Sequence, residues 1–360
     1  MKSIHETLNY QYYKKSSWIL ILLPLSYIYS LIIFLRSWSY KIGIFKMIKM
    51  DVPVVVVGNI NIGGTGKTPL VIWLLEKLIN KGMKPGLICR GYNSNANLPQ
   101  EVFRTSEVKN VGDEALMIKQ RIDIPVFVGR KKSEVGKVLL NSYPDVDILI
   151  SDDGLQHLEL YRDFEIVVVD ESRQFGNGHL IPAGPLREKV SRIKKVDALI
   201  INSGSKNKLL PKSKIVSQYR MTCYGNLLKN CFQKELKSSL ENIMGEKEIV
   251  AVTGIGNPEK FFRKLTVAGI KFQERTFNDH HLFIESDFED YNDMNIIMTE
   301  KDAVKCKHFA KENFWSLPIY ADVDEELFKK IIKKLGIKKN GKKNIRHTCL
   351  SSYKRTTYFR

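Results

Sequence analysis

Cysteine is scarce in this 360-residue chain, and none of the five present (Cys89, Cys223, Cys231, Cys306, Cys349) falls in a CxxC pair or an evenly spaced framework. A thiolate zinc site and a disulfide scaffold are thereby set aside, and a reducing compartment fits best. Acidic residues are nearly missing from the two ends. Residues 1–50 hold seven Lys/Arg against the single acid Glu6, and residues 338–360 hold eight Lys/Arg and no acid. The ends thus carry +6 and +8 of the net +18, leaving the middle close to ordinary balance. The sequence therefore predicts no nucleic-acid partner, because the excess charge is not spread over a folded surface. What is abundant is apolar sequence, 43% of the chain, enough to build a substantial core in one or two units.

From Ser17 to Leu35 the run SWILILLPLSYIYSLIIFL contains no charge for 19 residues, the length that crosses a bilayer's hydrocarbon. Arg36, Trp38 and Tyr40 follow it, with no small-residue cleavage site, which argues against a removed secretory signal. Lys14 and Lys15 precede the run while Arg36, Lys41, Lys46 and Lys49 follow it. Orientation by positive charge is therefore undecided, and spanning and surface-lying modes both stand. Pro24 with Ser26, Tyr27, Tyr29 and Ser30 favours a kinked helix held partly in the interface, with its basic flanks on anionic headgroups.

Val54–Val57 reads as a buried parallel strand ending at Gly58, and Pro69–Asn80 as a helix. Between them lies GNINIGGTGKTP. Strand, glycine-rich loop and helix is the context in which a P-loop match carries mechanism. Residues Asn61, Ile62, Gly63, Gly64, Thr65, Gly66, Lys67 and Thr68 are expected to bind ATP. Backbone N–H groups would close on phosphate at the positive end of the helix. Lys67 would reach the β and γ phosphates, and Thr68 would offer its hydroxyl to Mg²⁺. Asn61 stands where the strict pattern has glycine, and asparagine tolerates a left-handed backbone. Membrane ATPases of the ParA and MinD type carry Lys before the double glycine where this chain has Ile62, which lowers the alternative of a membrane-tethered ATPase switch acting on a protein partner.

Asp147–Ser151 reads as a second buried strand, running into Asp152-Asp153-Gly154. Carboxylates at the carboxyl edge of an open α/β sheet suit a metal-holding role, and adjacent acids there also serve as turn or helix caps. The ordered set GNINIGGTGKTP, CRGYN, VGDEALMI, SDDGLQHLEL, GNGHLIPAGPLRE, TGIGNPEKF, FNDHHLF and TEKDAVK resembles the tetraacyldisaccharide 4'-kinases over about residues 15 to 335. The resemblance implies transfer of the γ-phosphate of ATP to the 4'-hydroxyl of a tetraacyldisaccharide 1-phosphate, forming lipid IV-A at the cytoplasmic face of the bacterial inner membrane. It also implies Asp152, Asp153 and Glu188, with Thr68, as the metal and acidic cluster, Asp113 as general base and His280 as its partner, with Lys67 in the catalytic set. No obligate protein partner is implied. A sugar hydroxyl needs a carboxylate to accept its proton as the new bond forms, and a histidine can orient that carboxylate. Helix capping by Asp113 and a turn role for His280 remain open. His280 is preferred to His281 because it directly follows Asp279.

Further strands are expected at Leu87–Arg90, Pro125–Val128, Ile166–Asp170 and Ala198–Ile201. The predicted fold is α/β: a P-loop NTPase-like, mostly parallel sheet, a second, smaller α/β domain and an N-terminal membrane-associated helix. The expected divisions are 1–50 (helix and basic flank), 51–211 (P-loop core), 212–248 (connector with strands near Ile215–Cys223 and Lys229–Leu236), 249–337 (smaller domain, including strands in IIMTEKDAVK and SLPIYADV) and 338–360 (basic tail). Gly254-Ile255-Gly256 lacks the third glycine of a dinucleotide fingerprint, Glu259 standing in its place, so NAD is not expected.

Overall fold

The computed structural model describes residues 12–13, 17–91, 98–203, 216–233, 235–243 and 247–337. The basic tail, Lys14, Lys15, Ile215 and the Tyr92-Asn93 end of CRGYN lie outside the described residues.

The strands in chain order are β1 (Val54–Gly58), β2 (Pro85–Cys89), β3 (Gln100–Glu101), β4 (Val126–Val128), β5 (Ile148–Asp152), β6 (Phe164–Asp170), β7 (Ala198–Asn202), β8 (Ser217–Tyr224), β9 (Leu227–Asn230), β10 (Lys237–Ser239), β11 (Ile249–Thr253), β12 (Gln273–Thr276), β13 (Asn295–Thr299), β14 (Phe314–Leu317) and β15 (Tyr320–Val323). The helices used below are α1 (Leu23–Lys41), α2 (Lys67–Asn80), α3 (Asp113–Arg121), α4 (Lys132–Ser142), α5 (Pro258–Val267), α6 (Glu300–Cys306) and α7 (Glu325–Leu335).

The larger sheet has the order β15-β8-β7-β6-β1-β5-β2-β4-β3, and only its edge pairs β15–β8 and β4–β3 are antiparallel. Its centre is a Val/Ile/Leu run covered on both faces, the composition that a parallel sheet between helices requires. The smaller sheet runs β10-β9-β14-β13-β11-β12, with parallel pairing from β14 to β12. The expected α/β class holds, with a large mostly parallel sheet, a smaller one and an apolar N-terminal helix.

Sheet membership departs from the expected divisions in three places. SLPIYADV is not one strand: it breaks at Pro318, which cannot donate to a ladder, so β14 pairs in the smaller sheet and β15 in the larger. α7 follows β15 back, burying Leu327 and Ile331 in the larger core and setting Phe328 edge-on to Trp73. The stretch from Tyr320 onward therefore belongs with the P-loop unit rather than the smaller one. The connector splits as well, β8 joining the larger sheet while β9 and β10 join the smaller. Within it, the strand expected near Lys229–Leu236 starts earlier, as β9, and ends at Asn230, whose carboxamide oxygen accepts from the N–H groups of Phe232 and Gln233 and turns the chain.

α1 begins immediately after a short 3₁₀ turn at Ser17–Leu22, and Pro24 sits in its first turn, where a missing N–H costs nothing. Pro24 starts this helix instead of kinking it. Ser26 and Tyr29 do not face an interface either. The buried Ser26 hydroxyl donates to Leu180 O (2.8 Å) and accepts from Ala183 N (2.9 Å), and Tyr29 reaches Arg187 O (3.3 Å). The rest of the helix, from Leu25 to Trp38, leaves large apolar side chains open to solvent. The segment Ile19–Lys41 is long and apolar enough to cross a membrane, and 11% of its most apolar window is buried against the protein.

Candidate functional site

The four valines of β1 pack wholly inside, and the chain leaves the sheet at Gly58. A Cβ there would collide with Leu155, so the turn into the loop needs glycine. The loop is then tied from outside. Asn59 donates to Gly63 O (3.2 Å), Ile62 N to Pro185 O (2.8 Å), and Asn202, at the end of β7, to Thr65 O (2.9 Å). Gly66 has φ 93° and lies against the Asn202 carboxamide, closing two routes to a larger residue. Lys67 and Thr68 open α2 behind it, at the positive end of a 14-residue helix. Asn61 is not left-handed: it bridges Leu186 in extended form, and its amide donates to Gln174 O (2.6 Å). Its value at the glycine position is that hydrogen bond rather than tolerance of positive φ.

Register sets the acids. Val57 lies opposite Asp152 in the β1–β5 pair, so the carboxyl ends of both strands open on one edge. Asp152 is 4% exposed, and its Oδ1 is buried without a hydrogen-bond partner among the described residues. Burial raises its pKa to about 6; the nearby Glu114 charge adds to the rise, while Lys132 and Lys67 oppose it. Asp153 has the reverse balance. Burial opposes its ionisation, yet Lys67 (3.3 Å) and Arg187 (3.2 Å) hold the carboxyl well below its usual range. A partnerless carboxylate oxygen on the same cleft wall as Lys67 fits a hard cation. Among the described residues no three His, Cys, Asp or Glu side chains form a ready-made cage. Mg²⁺ commonly completes its shell with phosphate and water, so this does not count against it. Glu188 departs from the expected cluster, since it receives Gln156 Nε2 (2.8 Å) and pairs with Arg192 (3.3 Å). The PAGPLRE segment instead delivers Arg187 to Asp153.

A cleft of about 2720 Å³ separates the two sheets, lined among others by Lys67, Asp113, Asp152, Asp153, Arg187 and His280. Asp113 is the first residue of α3, buried, with Oδ1 accepting from Glu114 N (2.8 Å) and Oδ2 free to face the smaller unit. There His280 Nδ1 lies 2.9 Å away, although 167 residues separate the two in sequence. His281 is engaged elsewhere, bonded to Asp287 (2.9 Å) and stacked on Phe277. Burial alone would raise the Asp113 pKa. The His280 hydrogen bond and the charges of Lys301 and Lys305 outweigh it, leaving Asp113 below its ordinary value. The only described non-glycine residues with positive φ are Asp153 (49°), Gln174 (42°) and His280 (61°), and all three line this cleft. Backbone strain of this kind persists where surrounding structure enforces it, and it gathers at functional sites.

Several residues of the site carried no assigned role in the sequence. Lys132, fully buried at the start of α4, donates to Ser151 Oγ (3.2 Å) and to the Asp152 carbonyl, and burial lowers its pKa. Asp170, at the end of β6, accepts from Lys260 of α5 and so ties the two units together. Lys301 opens α6 beside the Asp113–His280 pair. The motif TEKDAVK contained Lys301, but no local pattern shows which side chain a lysine will meet.

Known proteins resemble this chain over most of its length. The chain matches the family model described as tetraacyldisaccharide-1-P 4'-kinase over residues 18–336. It is 43% identical to a tetraacyldisaccharide 4'-kinase of Methylobacillus flagellatus over 93% of this chain and 97% of that one. It is 42% identical to the same enzyme of Shewanella sediminis, over 88% and 90% of the two chains. Among solved structures it resembles the "apo" form of LpxK from Aquifex aeolicus in complex with ATP. The TM-score there is 0.75 at 27% identity, covering 88% of this chain and 99% of that one.

Proposed function

This chain belongs to the tetraacyldisaccharide-1-P 4'-kinase family, and from that membership we propose how its own residues carry the reaction. It is an ATP-dependent phosphotransferase of lipid A biosynthesis, acting on the 4' position of a tetraacyldisaccharide 1-phosphate. The loop Asn61–Thr68 holds the triphosphate, with Lys67 reaching the β and γ groups. Asp113 accepts the proton of the sugar 4'-hydroxyl as its oxygen bonds to the γ phosphorus. The bond from that phosphorus to the β–γ bridging oxygen breaks, and ADP leaves with the electron pair. Thr68 and Asp152 are the residues suited to hold Mg²⁺, which when bound neutralises the phosphate charge. Arg187 keeps Asp153 ionised and in place against Lys67.

The observation that carries the base assignment is the 2.9 Å contact between Asp113 and His280 inside the cleft that also holds the P-loop lysine. Because the pair spans both units and is already formed in this structure, any opening of the smaller unit to admit the glycolipid would have to part it and closure restore it. The membrane is the second part of the proposal. α1 is docked by Ser26 and Tyr29, so its apolar outer face, followed by Ile44, Phe45 and Met47 among Lys41, Lys46 and Lys49, is suited to lie in the cytoplasmic leaflet where both ATP and the acylated substrate are met. No obligate protein partner enters this scheme.

The test is turnover of the tetraacyldisaccharide phosphate with Mg-ATP in detergent micelles, read as a product heavier by one phosphate. Asp113→Ala should lower kcat by at least about 10²-fold while the fold persists. Near-normal turnover in that variant would return Asp113 to a helix-start role.

A further inference from the structure

The Asp113–His280 pair has a third neighbour. Lys301 Nζ lies 3.4 Å from His280 Nε2, 3.8 Å from Asp113 Oδ2, 3.4 Å from Glu114 Oε1 and 3.7 Å from Asp279 Oδ1. It projects from the first turn of α6, which the Thr299 hydroxyl caps by accepting from Asp302 N, so its origin is fixed by the β13–α6 junction. Its side chain is 17% exposed.

The chemistry of the three groups permits few proton arrangements. An ammonium has three donors and no acceptor. The imidazole nitrogen nearest to it can favour that approach only by presenting its lone pair, which places the ring proton on Nδ1. Nδ1 is the nitrogen 2.9 Å from Asp113 Oδ2, an acceptor when ionised. Without Lys301, the competing partner of Nε2 is the Asp279 carboxylate at 3.8 Å, 46% exposed, which would draw a proton onto Nε2. Lys301 Nζ lies near both, 3.7 Å from that carboxylate and 3.4 Å from the ring nitrogen, and competes with the ring for the Asp279 charge. We propose that Lys301 is a positioning residue for this kinase, fixing His280 as the Nδ1–H tautomer that donates to Asp113 and so orienting the base toward the sugar hydroxyl. The proposal rests on the assignment of Asp113 as base.

The charged groups around the pair set the direction of its pH response. Asp113 and Glu114 face it from α3, Asp279 from the loop that bears His280, and Lys301, Asp302 and Lys305 from α6. The acids around Lys301 outweigh its burial and raise its pKa, so it stays cationic throughout the working range. Its charge in turn helps keep Asp113 ionised. Removing it should move the acidic limb of the kcat profile upward by about one pH unit. The turnover loss should be on the order of 10- to 100-fold, the range found for outer partners that orient a reacting ligand.

The experiment is ¹⁵N NMR of histidine-labelled full-length protein in micelles, for the wild type, Lys301→Met and Lys301→Arg, with kcat and KM measured against pH. The expected wild-type signal is His280 protonated on Nδ1 at neutral pH. Lys301→Met should show loss of that single tautomer, lower kcat with little change in KM, and the shifted acidic limb, while Lys301→Arg restores most of all three. A wild-type ring protonated on Nε2, or a Lys301→Met protein with an unchanged tautomer and pH profile, overturns the proposal. If the Met variant does not fold, the wild-type tautomer and the Arg variant still decide it. If Asp113→Ala keeps normal turnover while Lys301→Met loses the tautomer, the base assignment fails and the hydrogen-bond order stands.

Discussion

Asp152 should make this protein less stable than it could be at neutral pH, and the size of that penalty follows from its burial. The carboxyl is 4% exposed, its Oδ1 has no partner among the described residues, and its pKa is raised from 3.8 to about 6. An acid with a raised folded-state pKa costs nothing below its unfolded value, where both states are protonated. Between about pH 4 and 6 the unfolded chain ionises first, and stability falls as pH rises. Above pH 6 the full cost remains, roughly two pKa units or about 3 kcal/mol. Asp152→Asn cannot ionise and escapes this dependence. The difference in unfolding free energy between variant and wild type should therefore move by about 3 kcal/mol in favour of Asn between pH 4 and pH 7.5, measured with a chelator present. For a chain of this size that is a relative Tm gain of roughly 4 °C. Comparing the two pH values removes any fixed cost of placing an amide at the site. On the proposed cation-holding role, the same variant should lose nearly all kinase turnover, since the carboxylate charge is gone and only a neutral amide oxygen remains. A stability difference that does not change with pH would refute the account of Asp152 as a buried carboxylate that Lys132 and Lys67 only partly compensate.

Two further outcomes follow from α1. Ser26→Ala removes a hydroxyl that both donates to Leu180 O and accepts from Ala183 N; Leu180 O keeps its bond from Gly184 N while the Ala183 N–H loses its acceptor, which should cost about 1–3 kcal/mol in denaturant unfolding. Leu31→Glu with Phe34→Glu, on the outer face, should leave that unfolding curve unchanged but shift the protein from the membrane to the soluble fraction. Unchanged membrane recovery would remove this face from the contact.

The P-loop was legible because every determinant is local. Four consecutive valines read as a strand buried on both faces, and GGTGK running straight into a helix reads as a P-loop; the strand and the helix are both where those patterns put them. The six central strands were likewise found within a residue or two, because hydrophobic runs bounded by turn residues report their own state. Asn61 shows the limit of local reasoning. Its identity suggested a left-handed turn, whereas its use is a hydrogen bond to a carbonyl 113 residues away. The same limit hid the split of SLPIYADV, since Pro318 marked a break but nothing nearby said that its two halves join different sheets.

The amino-acid sequence by itself determined that this protein has a glycine-rich loop between a buried strand and a helix, a parallel sheet around it, and an apolar N-terminal helix. Those features depend on periodicity and on backbone preferences within about a dozen residues. Only the tertiary structure decided that Asp113 meets His280 across a cleft, that Lys301 stands beside both, that Glu188 turns to Gln156 and Arg192, and that Ser26 and Tyr29 face protein. Most of these contacts join residues far apart along the chain, 167 positions for Asp113 and His280. Their geometry is set by how the two sheets pack and close, which no short stretch of sequence encodes.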